Sequence, residues 1–168
     1  MMKKSKYKTK IEIPNERSEP GIFILVVTGT PGTGKTTVAK QLTKKYKAQY
    51  IDVNAIIKKY HMKEGYDRKR KAAIMDVEKL NKVLIKMIKE ARKAKQSLVI
   101  DSHLSHYLPS KYVELCTVTK TSLKKLRNRL KKRGYSMEKI QENVESEIFD
   151  VCLTEAEEAG HKIKIVWT

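Results

Sequence analysis

The sequence predicts an α/β fold in three layers, a central parallel sheet of five strands with helices on both faces. Three observations predict it. Short apolar or β-branched runs alternate with longer amphipathic stretches, the pattern of parallel strands joined by helical crossovers. The first run, Ile22 to Val27, is apolar without interruption, as a strand buried on both faces must be. Directly after it stands "GTPGTGKTT" (29–37), where glycines at 29, 32 and 34 precede the start of a helical pattern.

Each element follows in order. After the strand at 22–27, Val38, Leu42 and Tyr46 recur every four residues and predict a helix over 35–46. "AQYIDV" (48–53) reads as a second strand leading into the helix-like "NAIIKKY". Leu80, Val83, Leu84, Met87 and Ile88 keep helical spacing within 77–95. "SLVID" (97–101), "YVELCTV" (112–118) and "IKIVW" (163–167) are the remaining strands, with helices expected near 121–132 and 137–159. Residues 1–20, closed by Pro20-Gly21, read as a basic N-terminal tail, and 21–168 as one domain. No internal repeat is present.

Thirty-seven Lys and Arg against 19 Asp and Glu give a net charge of +18. Such a field attracts nucleotide phosphates or nucleic acid. The charge is uneven: residues 138–158 hold eight acids and one base, so that segment is −7 and the rest +25. A solvated helix face explains it, or a docking face for a basic protein. The longest apolar run has six residues, where a membrane span needs about twenty. The lysine-rich start runs into polar residues rather than an apolar stretch, which argues against a secretory signal. Cys116 and Cys152 lack metal-ligand spacing and read as buried thiols of a cytoplasmic protein; nuclear residence is compatible with a eukaryotic source.

Gly29 to Thr36 match G-x-x-x-x-G-K-[ST] between a strand and a helix. Loop and helix-start N–H groups at Gly29, Gly32, Gly34 and Thr37 would converge on phosphate oxygens, with Lys35 reaching the β- and γ-phosphates and Thr36 offering its hydroxyl to Mg²⁺. Asp101, ending "SLVID", suits the metal's water shell; capping the next turn is the alternative. His103 has phosphate, water or backbone as candidate partners, and spacing alone favours a structural role. "LRNRLKKRGYSMEKIQ" (126–141) offers a basic lid, with Arg129 and Arg133 on one helix face and Gly134 at its end. The base-reading motif Asn-Lys-x-Asp is absent and the chain is short for a motor ATPase, so a small kinase with a P-loop nucleoside-kinase-like fold is expected.

From about Ile22 to Ala159 the chain resembles the adenylate kinase isoenzyme 6 type family, atypical kinases and ATPases of archaea and eukaryotes that assist small-ribosomal-subunit maturation. The resemblance rests on "TGTPGTGKTT", "YIDV", "GYD" (65–67), "VIDSH" (99–103) and "RLKKRGYSMEKIQENVESEIF" (129–149). It implies ATP and Mg²⁺ as cofactors, AMP as acceptor and an associated ATPase activity. By position, Gly32, Gly34, Lys35, Thr36 and Thr37 would contact ATP, and Asp101 and His103 would form an Asp-x-His motif. Arg133 would be the lid arginine on the nucleotide. It further implies a monophosphate-binding region at about 52–75, a lid at about 132–142, and an S11-type small-subunit ribosomal protein as partner, with rRNA on the basic surface. An assembly ATPase with incidental kinase activity, or another small-molecule kinase, are the alternatives. Two departures stand out. "RKRKAA" follows Gly65-Tyr66-Asp67 where the family is acidic, and the chain ends at Trp167-Thr168 where the family continues into a further helix, so a monomer and a homodimer both remain open.

Overall fold

The computed structural model describes residues 21–67 and 72–168. The tail at 1–20, with its lysines, and the basic stretch 68–71 lie outside the described residues. Five parallel strands form the main sheet: β1 (Ile24–Thr28), β2 (Gln49–Asp52), β5 (Leu98–Asp101), β6 (Leu115–Lys120) and β7 (Ile163–Trp167). Their order is β2-β5-β1-β6-β7, so β1 is central. Parallel register sets Val27 beside Asp101 and Thr117, and Asp52 beside Asp101 on the other side. The carboxyl ends of β1, β2 and β5 therefore open at one edge, where ligands of open α/β sheets bind.

Alternation along β1 builds both cores. Leu25 and Val27 join Val38, Ala39 and Leu42 of α1 (Lys35–Tyr46) on one face. Ile24 and Val26 join the opposite core, covered by α2 (Val53–Lys59), α3 (Val77–Lys93) and α6 (Val151–Glu158). The helix α3 begins where the Asp76 carboxylate accepts from the Lys79 N–H, and it buries Leu80, Leu84, Ile88 and Ala91 in one stripe. A third cluster forms between α4 (Leu123–Lys132) and α5 (Met137–Ile148), from Leu126, Leu130, Ile140 and Val144.

Three features differ from the expected pattern. A two-stranded antiparallel sheet, β3 (Lys63–Asp67) with β4 (Ala72–Met75), fills part of the 52–75 region. Its strands are short and show no alternation, so pairing rather than composition makes them. The helix expected over 137–159 is two, broken at Asp150, whose φ is +52°. No Gly or Pro marks that break; Asp150 is held there by its ion pair with Lys120. The fourth strand starts at Leu115 rather than 112, because Ser110–Tyr112 form a 3₁₀ turn.

Leu84 is 1% exposed, and truncating a buried leucine leaves a cavity that α3 cannot close. Leu84→Ala should cost about 3 kcal/mol in urea unfolding. A loss below about 1 kcal/mol would mean that α3 does not cover the core.

Candidate active site

The loop after β1 is shaped by crowding. Gly29 has φ +140°, and a Cβ there would lie 2.5 Å from Thr119 Oγ1 and 2.6 Å from the Thr119 carbonyl. Gly29 thus serves the close approach of β6 to the loop. At Gly32 a Cβ would lie 2.8 Å from Leu126 Cδ1, so α4 rests directly on the loop. The Thr33 hydroxyl bonds the Thr30 carbonyl at 2.7 Å and the Thr119 hydroxyl at 2.7 Å. The helix α1 then starts at Gly34 with neither a side-chain cap nor an acid in its first turn. Its first N–H groups are left for an anion, with the helix dipole behind them.

Lys35 is half-buried, and its ammonium donates to the Gly29 carbonyl at 2.9 Å and the Thr30 carbonyl at 3.1 Å. Burial pushes its pKa down from 10.5 to about 8, and the Arg133 charge adds to this, while Cys152, Asp101 and Glu147 oppose it. The Thr36 hydroxyl donates to Asp101 Oδ2 at 2.7 Å, and the Tyr50 hydroxyl donates to the same oxygen at 2.8 Å. Asp101 is buried at the end of β5. It therefore faces the site instead of capping the following turn. Hydroxyl and carboxylate oxygens are the donors Mg²⁺ prefers, and Mg²⁺ commonly takes only one or two protein ligands beside phosphates and water. Among the described residues no cluster of three or more His, Cys, Asp or Glu competes as a metal cage.

His103 follows two residues after Asp101, open to solvent and without a hydrogen bond to another described residue. The protein mass beneath its ring, the Lys35 ammonium and His106 push its pKa down to about 4. Every one of these causes points the same way, toward a neutral ring at pH 7. By contrast, His106 is buried and committed to the fold, bonded to the Thr28 hydroxyl at 2.6 Å and to Glu155 at 2.9 Å.

A cleft of about 560 Å³ opens beside the loop, lined by Gly32, Gly34, Thr37, Arg129, Arg133 and Thr168 among others. The Arg129 guanidinium donates to the Gly32 carbonyl at 3.2 Å and the Thr168 hydroxyl at 2.9 Å. Arg133 is exposed at the end of α4. Gly134 follows with φ +73°, its N–H bonding the Lys131 carbonyl while the Tyr135 N–H bonds Leu130. That is a Schellman cap, which turns the chain into α5.

Thr36 and Asp101 thus meet at the mouth of the loop near Lys35 and His103, and Arg133 and Thr37 line the neighbouring cleft. Of the expected residues, Gly32, Gly34, Thr37 and Arg133 line the cleft, Lys35, Thr36 and Asp101 meet beside the loop through their hydrogen bonds, and Gly29 packs against β6. The sequence pattern does not single out Tyr50, Thr30 or Glu147. Glu147 carried a signal, because it falls on the buried stripe of α5 with Ile140 and Val144.

A phosphate loop of this kind, on a five-stranded parallel sheet with a basic helix facing it, defines the class: P-loop proteins of the kinase type. Residues 25–150 match the model of an AAA domain family. A putative adenylate kinase of Methanosarcina acetivorans is 39% identical over 143 residues, covering 84% of this chain and 75% of that protein. An adenylate kinase isoenzyme 6 homolog of Schizosaccharomyces pombe is 39% identical over 144 residues, 86% of this chain and 78% of that one. The chain belongs to the adenylate kinase isoenzyme 6 family. Among solved structures, an unliganded sugar kinase from a Janibacter species aligns with a TM-score of 0.56 at 16% identity, over 87% of this chain and 85% of that one. A putative kinase from Chloroflexus aurantiacus aligns with a TM-score of 0.52 at 16% identity, over 88% of each chain. Those two likenesses speak for the fold alone.

Lys35 gives a stability test that needs no ligand. Its pKa falls on folding, so between about pH 8 and 10.5 the unfolded chain holds more protons than the folded one. Stability from this group is missing below pH 8 and returns as pH rises toward 10.5. The difference in unfolding free energy between parent and Lys35→Met should therefore shift in the parent's favour across that window. A flat difference would mean that the ammonium pays no desolvation penalty.

Proposed function

We propose that the protein is a Mg²⁺-dependent adenylate kinase, moving the γ-phosphoryl group of ATP onto AMP to give two ADP. When water replaces AMP, the same site hydrolyses ATP slowly. The observation that carries this reading is the Thr36–Asp101 contact at the mouth of the phosphate loop, with Lys35 beside it. Relatives named as adenylate kinases support the acceptor.

In this reading the bond from the β–γ bridging oxygen to the γ-phosphorus breaks, and a phosphate oxygen of AMP forms the new one. No side chain becomes covalently attached, because positioning and charge neutralisation carry such transfers. Lys35 leaves the loop carbonyls for the β- and γ-phosphates, and the α1 N–H groups hold their oxygens. Thr36 and Asp101 would hold Mg²⁺, partly through water, and the ion supplies positive charge against the phosphates. Arg129 and Arg133 form the wall of the nucleotide cleft, with 132–142 as the short lid. His103, neutral at pH 7, orients the attacking group as a hydrogen-bond partner. AMP sits near 52–75, against α2 and the β3–β4 hairpin.

A coupled assay comparing ATP plus AMP with ATP alone tests the acceptor. Stimulation by AMP supports the kinase, its absence an assembly ATPase, and stimulation by another acceptor in a panel a different small-molecule kinase. Lys35→Ala should lower turnover about 100-fold or more with the fold intact. Asp101→Asn should weaken Mg²⁺-dependent turnover more than metal-free ATP binding. His103→Ala should lower turnover at unchanged ATP affinity. Equal losses of binding and turnover in both would mark a structural turn.

The charge division favours a second role beside the first, docking of a basic ribosomal protein of the S11 type, with rRNA on the basic surface. Glu138, Glu142, Glu145, Glu157 and Glu158 are exposed on α5 and α6. The other three acids of the segment point to partners within the fold: Glu147 to Thr30, Asp150 to Lys120 and Glu155 to His106. Reversing Glu142, Glu145 and Glu157 to lysine should therefore weaken a basic partner in a salt-dependent way and spare AMP-dependent turnover. Unchanged affinity across a salt titration would leave the acids as a solvated face.

A further inference from the structure

Two carboxylates are buried among the described residues, Asp101 and Glu147. Asp101 has a place in the metal site; Glu147 has no assigned role. It is 7% exposed, and none of the described Lys, Arg or His side chains pairs with it. Burying a carboxylate without an ion pair is costly unless hydrogen bonds compensate it, and Glu147 makes two. Oε2 accepts from the Thr30 hydroxyl at 2.7 Å, and Oε1 accepts from the Thr121 N–H at 3.3 Å.

Both partners are placed to matter. Thr30 is 1% exposed, and its carbonyl is a node of the phosphate loop, accepting from Lys35 Nζ at 3.1 Å, the Thr33 N–H at 3.2 Å and the Thr33 hydroxyl at 2.7 Å. Thr121 directly precedes Ser122, the residue that caps α4, and α4 carries Arg129 and leads into Arg133. The carboxylate thus lies at the positive end of α4, which favours its charge. Three residues on, Asp150 pairs with Lys120 at the end of β6, so the end of α5 is attached twice to the β6–α4 passage.

We infer that Glu147 is a positioning residue for nucleotide binding: it joins Thr30 to the entry of α4 and so sets the spacing between the phosphate loop and the arginines across the cleft. The carboxylate touches no substrate; it acts through Thr30 and Thr121. The inference rests on the ATP-site reading above.

The test measures ATP affinity by calorimetry and AMP KM by coupled assay in five proteins: parent, Thr30→Val, Thr30→Ser, Glu147→Gln, and Thr30→Val combined with Glu147→Gln. Each valine or glutamine variant should bind ATP about tenfold more weakly, a size set by one hydrogen bond to a charged group. The double variant should lose no more than about tenfold, because both changes strike the same interaction: valine removes the hydroxyl donor and glutamine the charge of its acceptor. Thr30→Ser keeps the hydroxyl and should bind ATP as the parent does, and AMP KM should stay unchanged throughout. A bond that serves only the fold would lower the melting temperature and leave ATP affinity at the parent's value, which overturns the inference. So would a double variant weakened about a hundredfold, the product of independent effects. If Glu147→Gln fails to fold, Thr30→Val against Thr30→Ser decides the matter alone. A parent that binds no ATP overturns the site reading itself, a result distinct from a parent that binds and variants that match it.

Discussion

The approach of β6 and α4 to the loop after β1 governs this structure. Thr119 leaves no room for a Cβ at Gly29, and Leu126 leaves none at Gly32. With both sides filled, the loop can only curve around the space ahead of α1, turning backbone N–H groups toward whatever occupies it. The preference for an anion is built in before any ligand arrives, since reorganisation has been completed during folding. The central position of β1 is what makes such crowding possible, because β5 and β6 flank it and helices cover both of its faces.

Charge is handled in the same manner. Lys35 stands on loop carbonyls with its pKa reduced to about 8, Asp101 holds two hydroxyl donors, and Glu147 anchors the underside of the loop. Each group is poorly solvated, which makes it worth more to a phosphate than it would be in water. A lysine that is short of solvent gains by leaving carbonyl oxygens for phosphate oxygens. A nucleotide with its ion would relieve the electrostatic cost that these poorly solvated groups carry.

The acidic segment divides between two duties that the chain order conceals. Glu147, Asp150 and Glu155 hold α5 and α6 to the loop, to β6 and to His106, while the remaining glutamates face solvent. Any surface role of this region therefore falls to the outward set, whose replacement leaves the inward contacts alone.

The five strands, the main helices and the phosphate loop were legible in the sequence, because each depends on local period or local backbone chemistry: the apolar run at 22–27, the four-residue repeat through Val38 and Leu42, and the glycines at 29, 32 and 34. Spacing singled out Lys35, Thr36 and Asp101, and the family resemblance added His103; in the fold the Thr36 hydroxyl meets Asp101 and Lys35 rests on the loop carbonyls. The β3–β4 hairpin was not legible, since its residues lack alternation and depend on each other for pairing. Nor was the break at Asp150, where an ion pair to Lys120 takes the place of a glycine. Sequence by itself determined that this chain builds a parallel sheet around a phosphate-binding loop, because period, glycine and lysine spacing act over a few residues. Only the tertiary structure decided that Tyr50 would hold Asp101, that Arg129 would bond Gly32 and Thr168, and that one glutamate of eight acids would lie beneath the loop. Those contacts span 51, 97 and 117 residues of chain, and no local signal reaches across such separations.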